Sequence, residues 1–284
     1  MEKIFKKILV SKYCINFLNF FLVKILRIKK ILDPSYPYVG KFFFVKNSDL
    51  FIVSYPKSGN TWVRLIVGEI FFKNVNYNNL DKLLPESYSY KESSYIETKD
   101  KFRIFKSHDY FDHRFKKVIY VVRDPREVIV SSYFFQIKIG TIKKNYSKRL
   151  FFKEFLKGKF DSNFGSWEQN VGSWFGSKKN NIIFVKYEDL ISNTKSEINK
   201  IAKFLGKSLT KKKLNKIIKK TTFNNLKKEE KDVQLNWNSI KKNNPDINFF
   251  RSGKINSWKN FLTKKENNEI KKKWGTYMKI FNYN

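Results

Sequence analysis

The chain has 284 residues, 41% of them hydrophobic and 18% aromatic, a globular composition long enough for one large domain or two small ones. Its 59 Lys and Arg oppose 25 Asp and Glu, and the resulting charge of +34 draws anionic ligands of any kind. Most of the excess is lysine rather than the forked arginine that base readout favours, and Lys, Asn, Ile, Phe and Tyr share AT-rich codons, so charge alone does not argue for a specific nucleic-acid partner.

The first element, residues 1–32, reads as a basic amphipathic helical segment. Its longest lysine-free apolar run, Tyr13 to Val23, falls short of the roughly 20 residues a bilayer span needs. Lys24 and Arg27 follow, not a small-residue cleavage site, which argues against a cleaved leader. Two readings stand for residues 1–31: a terminal helix packed on the domain, and a helix lying on a membrane surface. Cys14, the single cysteine, excludes an intramolecular disulfide and a cysteine-based zinc cluster and fits a reducing compartment. Residues 33–284 read as one domain. Its strand candidates are Leu50–Ser54, Arg103–Lys106, Val118–Val122 and Ile182–Val185, all short, apolar and β-branched or aromatic, as strands covered on both faces are. Between them run helical patterns. One carries Trp62, Leu65, Ile66 and Ile70; a second starts after Pro125 and carries Val128, Val130, Ser131 and Phe134; a third carries Ile198, Ile201, Ala202 and Leu205 and stops at Gly206. Lysine-rich stretches at 211–220 and 264–273 have apolar residues at helical spacing and read as solvated helix faces. The alternation predicts a three-layer α/β/α fold with a mainly parallel central sheet, whose ligands sit at the carboxyl ends of the strands.

The first strand runs into Tyr55-Pro56-Lys57-Ser58-Gly59-Asn60-Thr61-Trp62. Gly59 permits a tight turn and close approach of the backbone to a ligand. The first amides of the following helix lack internal partners, Lys57 adds a full charge, and Ser58, Asn60 and Thr61 add side-chain donors. A bare Gly-Asn-Thr would be explained by a capped helix after a turn; the whole octet makes a phosphate cradle. It is not the nucleotide loop GxxxxGK[ST], because the lysine here precedes the glycine.

This octet resembles the 5′-phosphosulfate loop of sulfotransferases that use 3′-phosphoadenosine 5′-phosphosulfate (PAPS), usually YPKSGTTW, with Asn60 in place of the first Thr. The likeness continues in the family's order across residues 45–280. Val118 to Pro125 with Val130-Ser131-Ser132-Tyr133 is similar to the 3′-phosphate segment, implying that Arg123 and Ser131 bind that phosphate. Gly165-Ser166-Trp167 and Tyr187-Glu188-Asp189-Leu190 resemble the middle section and add Tyr187 to the nucleotide residues. Thr221-Thr222-Phe223 resembles an adenine-side segment, so Thr222, Phe223 and Trp62 are expected beside the base. Phe249-Phe250-Arg251-Ser252-Gly253 with Trp258-Lys259-Asn260 resembles RKGxxGDWKNxF and implies a second clamp on the 3′-phosphate from Arg251 and Gly253, with Phe250 and Ser252 among the nucleotide-binding residues. Ser252 stands where the family has Lys, and Asn256-Ser257 where it has Gly-Asp. The segment after Trp258 departs too far from the family's short dimerisation motif to imply that dimer.

The resemblance implies a P-loop-NTPase-like sulfotransferase fold, PAPS as co-substrate without a metal, and in-line sulfuryl transfer to a hydroxyl or amine. Lys106-Ser107-His108 resembles the family's K-[ST]-H signature, which makes His108 the general base, Lys106 a support for the sulfuryl oxygens and Lys57 the cation for the leaving oxygen. That signature also favours the cytosolic branch and a cytoplasmic location. His113, in Asp112-His113-Arg114, reads as a surface histidine. The acceptor class stays open among small molecule, lipid and carbohydrate, with segments 74–102 and 136–165 expected to line its pocket. Two other readings are a nucleotide kinase or NTPase, against which the missing GxxxxGK[ST] counts, and a basic protein binding nucleic acid or a membrane surface.

Overall fold

The computed structural model describes residues 45–87, 98–99, 102–177, 181–232 and 247–283. The N-terminal segment 1–32, and residues 88–97 and 100–101 of the 74–102 segment expected to line the acceptor pocket, lie outside them. Four strands form one sheet: β1 (Leu50–Ser54), β2 (Ile104–Ser107), β3 (Lys117–Val122) and β4 (Ile182–Lys186), in the order β2-β1-β3-β4. Every neighbouring pair is parallel. β2 begins one residue later than the sequence pattern suggests. Arg103 precedes it, its side chain held by buried Asp49 through Nε–Oδ1 and Nη2–Oδ2 contacts of 2.8 and 2.5 Å.

The apolar runs are continuous because each strand feeds two cores. Phe51, Val53, Phe105, Val118, Tyr120 and Val122 face one side of the sheet. Leu50, Ile52, Ile104, Ile119 and Val121 face the other. Successive side chains alternate, so a strand buried on both faces needs an apolar residue at every position. The second core is closed by α1 (Asn60–Phe71), α2 (Tyr77–Leu83), α7 (Thr194–Phe204) and α8 (Lys211–Lys220), among others. The first is closed by α3 (Pro125–Lys138), α4 (Lys148–Leu156), α5 (Trp167–Phe175) and α10 (Lys264–Ile280). The chain also forms α6 (Tyr187–Ser192) and α9 (Phe223–Asp232). The lysine-rich stretches are α8 and the start of α10. Leu214 and Ile217 are buried in the former and Ile270, Trp274 and Met278 in the latter, with lysines on the solvent side. Among the described residues no helix is long and apolar enough to cross a membrane.

This topology decides where chemistry collects. β1 runs into the Lys57–Thr61 loop, β2 into His108, β3 into Arg123 and β4 into Tyr187. All four strands point the same way, so all four hand-over residues emerge at one end of the sheet, where open α/β folds bind ligands.

Candidate active site

One cavity of about 770 Å³ opens at that end. Its wall includes Lys57, Gly59, Asn60, Thr61, Trp62, Lys106, His108, Arg123, Ser131, Tyr187, Thr222, Phe223, Phe250, Arg251, Ser252 and Gly253. Every site residue expected from the sequence is therefore in this wall except Ser58. That hydroxyl is buried behind the loop, without a hydrogen-bond partner. His113 is 81% exposed beside Asp112 and outside the cavity, as expected of a surface histidine.

The loop is built on two left-handed residues, Lys57 at φ 66° and Gly59 at φ 100°. A Cβ on Gly59 would lie 2.5 Å from the Tyr187 ring, so glycine is required by backbone and by space. α1 starts at once, with no side-chain cap and no acid in its first turn, which leaves its positive end available to an anion. The Lys57 ammonium lies 3.8 Å from the centre of the Phe135 ring and 4.2 Å from that of Phe249. Burial brings its pKa down to about 7, with Asp161 acting upward and Arg123 and Lys106 downward.

The Arg123 guanidinium carbon sits over the Tyr187 ring, 4.1 Å from its centre, and Nη1 donates to the Lys57 carbonyl at 3.2 Å. The β3 end thus braces the β1 loop. Its Nε is buried without a partner, as is the Trp62 indole nitrogen. Polar atoms left unpaired in a cationic cavity fit an anionic ligand that would satisfy them. Opposite, Gly253 sits at φ 59°, and a Cβ there would meet the Phe223 ring at 2.4 Å. Asn256 keeps a left-handed turn at φ 65° where the family usually has Gly; asparagine tolerates that region.

Glu127, a residue the motifs did not single out, ties the halves together. Buried at 2% exposure, it accepts from Ser257 Oγ at 2.7 Å and from the Trp258 amide at 3.1 Å. It lies 3.5 Å from Arg123 Nη2, and Ser257 Oγ in turn accepts from Arg251 at 3.4 Å. Only the fold brings 127 and 257 together, so no local signal in the sequence marks the pair.

His108 follows β2, and its Nδ1 lies 2.7 Å from the Ser54 carbonyl at the end of β1. A carbonyl can only accept, so Nδ1 carries the proton and Nε2 keeps the basic lone pair. Burial, and then Lys106, hold the imidazole pKa well below its ordinary value, against the upward pull of the Ser54 bond. The ring is neutral at physiological pH, as a proton acceptor must be. Asn60 corrects one expectation. Its side chain does not project as a ligand donor: Nδ2 turns back to the Ile52 carbonyl at 3.0 Å and to Ser54 Oγ at 3.2 Å. The Lys57–Thr61 loop and the histidine are thus braced on the same strand end. Lys106 is half-buried and ion-paired with Glu86, and desolvation lowers its pKa against the opposing effect of that carboxylate.

The arrangement offers a cluster of cations for a phosphorylated ligand, aromatic walls, and one neutral imidazole poised to take a proton. The sulfotransferase domain family matches residues 47–282 of the chain. A rabbit (Oryctolagus cuniculus) amine sulfotransferase is 28% identical, over 95% of this chain and 92% of that protein. A 3-beta-hydroxysteroid sulfotransferase of Cavia porcellus is 32% identical, over 81% of this chain and 83% of that one. Among solved structures, a mouse sulfotransferase complexed with PAP superimposes with a TM-score of 0.65 at 25% identity, over 82% of this chain and 85% of the other.

Proposed function

The chain belongs to the sulfotransferase family, and from that premise we propose that it moves the sulfuryl group of PAPS to a hydroxyl or amine of a small-molecule acceptor, with His108 as the base. The observation that carries this reading is the single cavity in which the left-handed Lys57–Gly59 loop, Arg123 and Arg251 meet a neutral histidine. Two of the relatives, an amine sulfotransferase and a hydroxysteroid sulfotransferase, support a small-molecule acceptor.

The residues divide the work. The Lys57–Thr61 loop and the start of α1 hold the phosphosulfate end, and Arg123, Ser131 and Arg251 hold the 3′-phosphate. The buried, unpaired Nε of Arg123, a residue of the cavity wall, fits a ligand rich in anionic oxygen. His108 Nε2 takes the acceptor's proton as the acceptor atom bonds to sulfur. The bond from sulfur to the phosphate oxygen breaks, and Lys57 places its charge where that oxygen becomes anionic. Lys106, steadied by Glu86, sits beside the same reacting group.

Titration with 3′,5′-adenosine bisphosphate (PAP), combined with transfer from radiolabelled PAPS to a panel of phenols, alcohols and amines, tests this. Lys57→Ala is expected to weaken PAP binding and abolish transfer. His108→Ala is expected to lower transfer by roughly 10²–10⁴-fold while still binding PAP. A wild-type chain that does not bind PAP overturns the reading.

A further inference from the structure

Three carboxylates of the described residues line the cavity: Asp81, Glu86 and Asp161. Asp81 lies 2.6 Å from Arg64, and Glu86 is ion-paired with Lys106. Asp161 has no cation at ion-pair distance among the described residues; the charge it feels most is that of Lys57, which is held between two phenyl rings. It falls in none of the nucleotide-binding motifs.

We propose that Asp161 selects acceptors that carry an ammonium group in addition to the hydroxyl to be sulfated, so that the substrate class is phenols or alcohols with an aliphatic amine. This rests on the sulfotransferase reading and adds the acceptor to it. Asp161 stands in a turn at φ 61°, a left-handed position that aspartate tolerates better than most residues. Its carbonyl accepts from the Phe164 amide at 2.9 Å, and the Phe164 ring packs against the His108 ring at 5.4 Å. The carboxylate is thus one short turn from the base, on the wall it shares with Phe164. Phe135 and Phe249 continue the aromatic lining, and both already present their faces to one ammonium, that of Lys57. When Lys57 engages the donor's phosphate, Asp161 loses its nearest counter-charge. A neutral acceptor would then leave a half-buried carboxylate without a counter-charge, whereas an ammonium would balance it. Burial raises the Asp161 pKa to about 6, so it is largely ionised at neutral pH, and a neighbouring cation drives that further.

The test uses two matched phenols, tyramine and p-ethylphenol, which differ in the ammonium group. Binding of each to the PAP-loaded full-length protein is measured calorimetrically, followed by initial rates with PAPS. Wild type is expected to bind tyramine on the order of tenfold more tightly, and Asp161→Asn is expected to bring the ratio close to one. A purely structural role for Asp161 would weaken both phenols together and keep the ratio, which would overturn the assignment. Equal wild-type affinities, or binding of neither phenol, would overturn it too, and the wild-type ratio decides even if the variant does not fold. PAP affinity, titrated separately, judges the sulfotransferase reading, so the two can fail independently.

Discussion

Lys57 is the residue on which most depends, and its environment gives it a pH signature. The free protein holds the ammonium at a pKa of about 7, mainly through burial. A bound anion favours the charged form, so the pKa rises in the complex. PAP affinity is therefore expected to fall as pH climbs above about 7, and binding at pH ~8 to take up a proton, read by calorimetry in buffers of different ionisation enthalpy. Uptake that survives in Lys57→Ala would refute this assignment. The same depression means that the unfolded chain holds this proton more firmly between pH 7 and 10.5. Its contribution therefore makes the unliganded protein more stable as pH rises through that window. The positions of Lys57 and His108 at the cavity were legible because strand-end loops bear recognisable patterns. The direction of Asn60 was not, since it depends on the Ile52 carbonyl and the Ser54 hydroxyl that only the folded turn presents. Asp161 was legible only as part of a segment expected to line the acceptor pocket, because a lone acid in a connection has no periodicity to betray it.

At the level of elements, the apolar runs located all four strands, with ends shifted by a residue at β2, β3 and β4. That worked because burial on both faces leaves an uninterrupted signal. The pairing order β2-β1-β3-β4 was beyond local reading, and so was the tie from Glu127 in α3 to Ser257 and Trp258. The β1–α1 junction is the most constrained joint. Gly59→Ala combines a left-handed backbone with a collision against the Tyr187 ring. It is expected to lose more than about 1 kcal/mol of stability and to weaken PAP binding. Gly206→Ala provides the comparison: φ there is +72°, but the added methyl meets nothing within 4 Å. It is expected to lower the melting temperature while leaving PAP affinity unchanged. Equal effects on PAP affinity would show that the Gly59 contact is not the cause.

For the molecule as a whole, a net charge of +34 places the cationic cavity in a field of the same sign. Association with PAP is expected to slow as salt rises, measured by stopped-flow fluorescence between low and physiological ionic strength. Saturation at 100 times the dissociation constant is expected to stabilise the fold by about 2.7 kcal/mol, seen as a melting temperature several degrees higher. Lys57→Ala is expected to lose much of that increment. The placement of Asp161 and Phe164 carries one further consequence. Lys57, His108 and Arg123 stand at strand ends, whereas these two residues come from the connection between α4 and α5. Such a connection tolerates substitution better than a sheet terminus does. Over evolutionary time, a lineage built on this plan can exchange the compounds it modifies while inheriting its reaction chemistry intact.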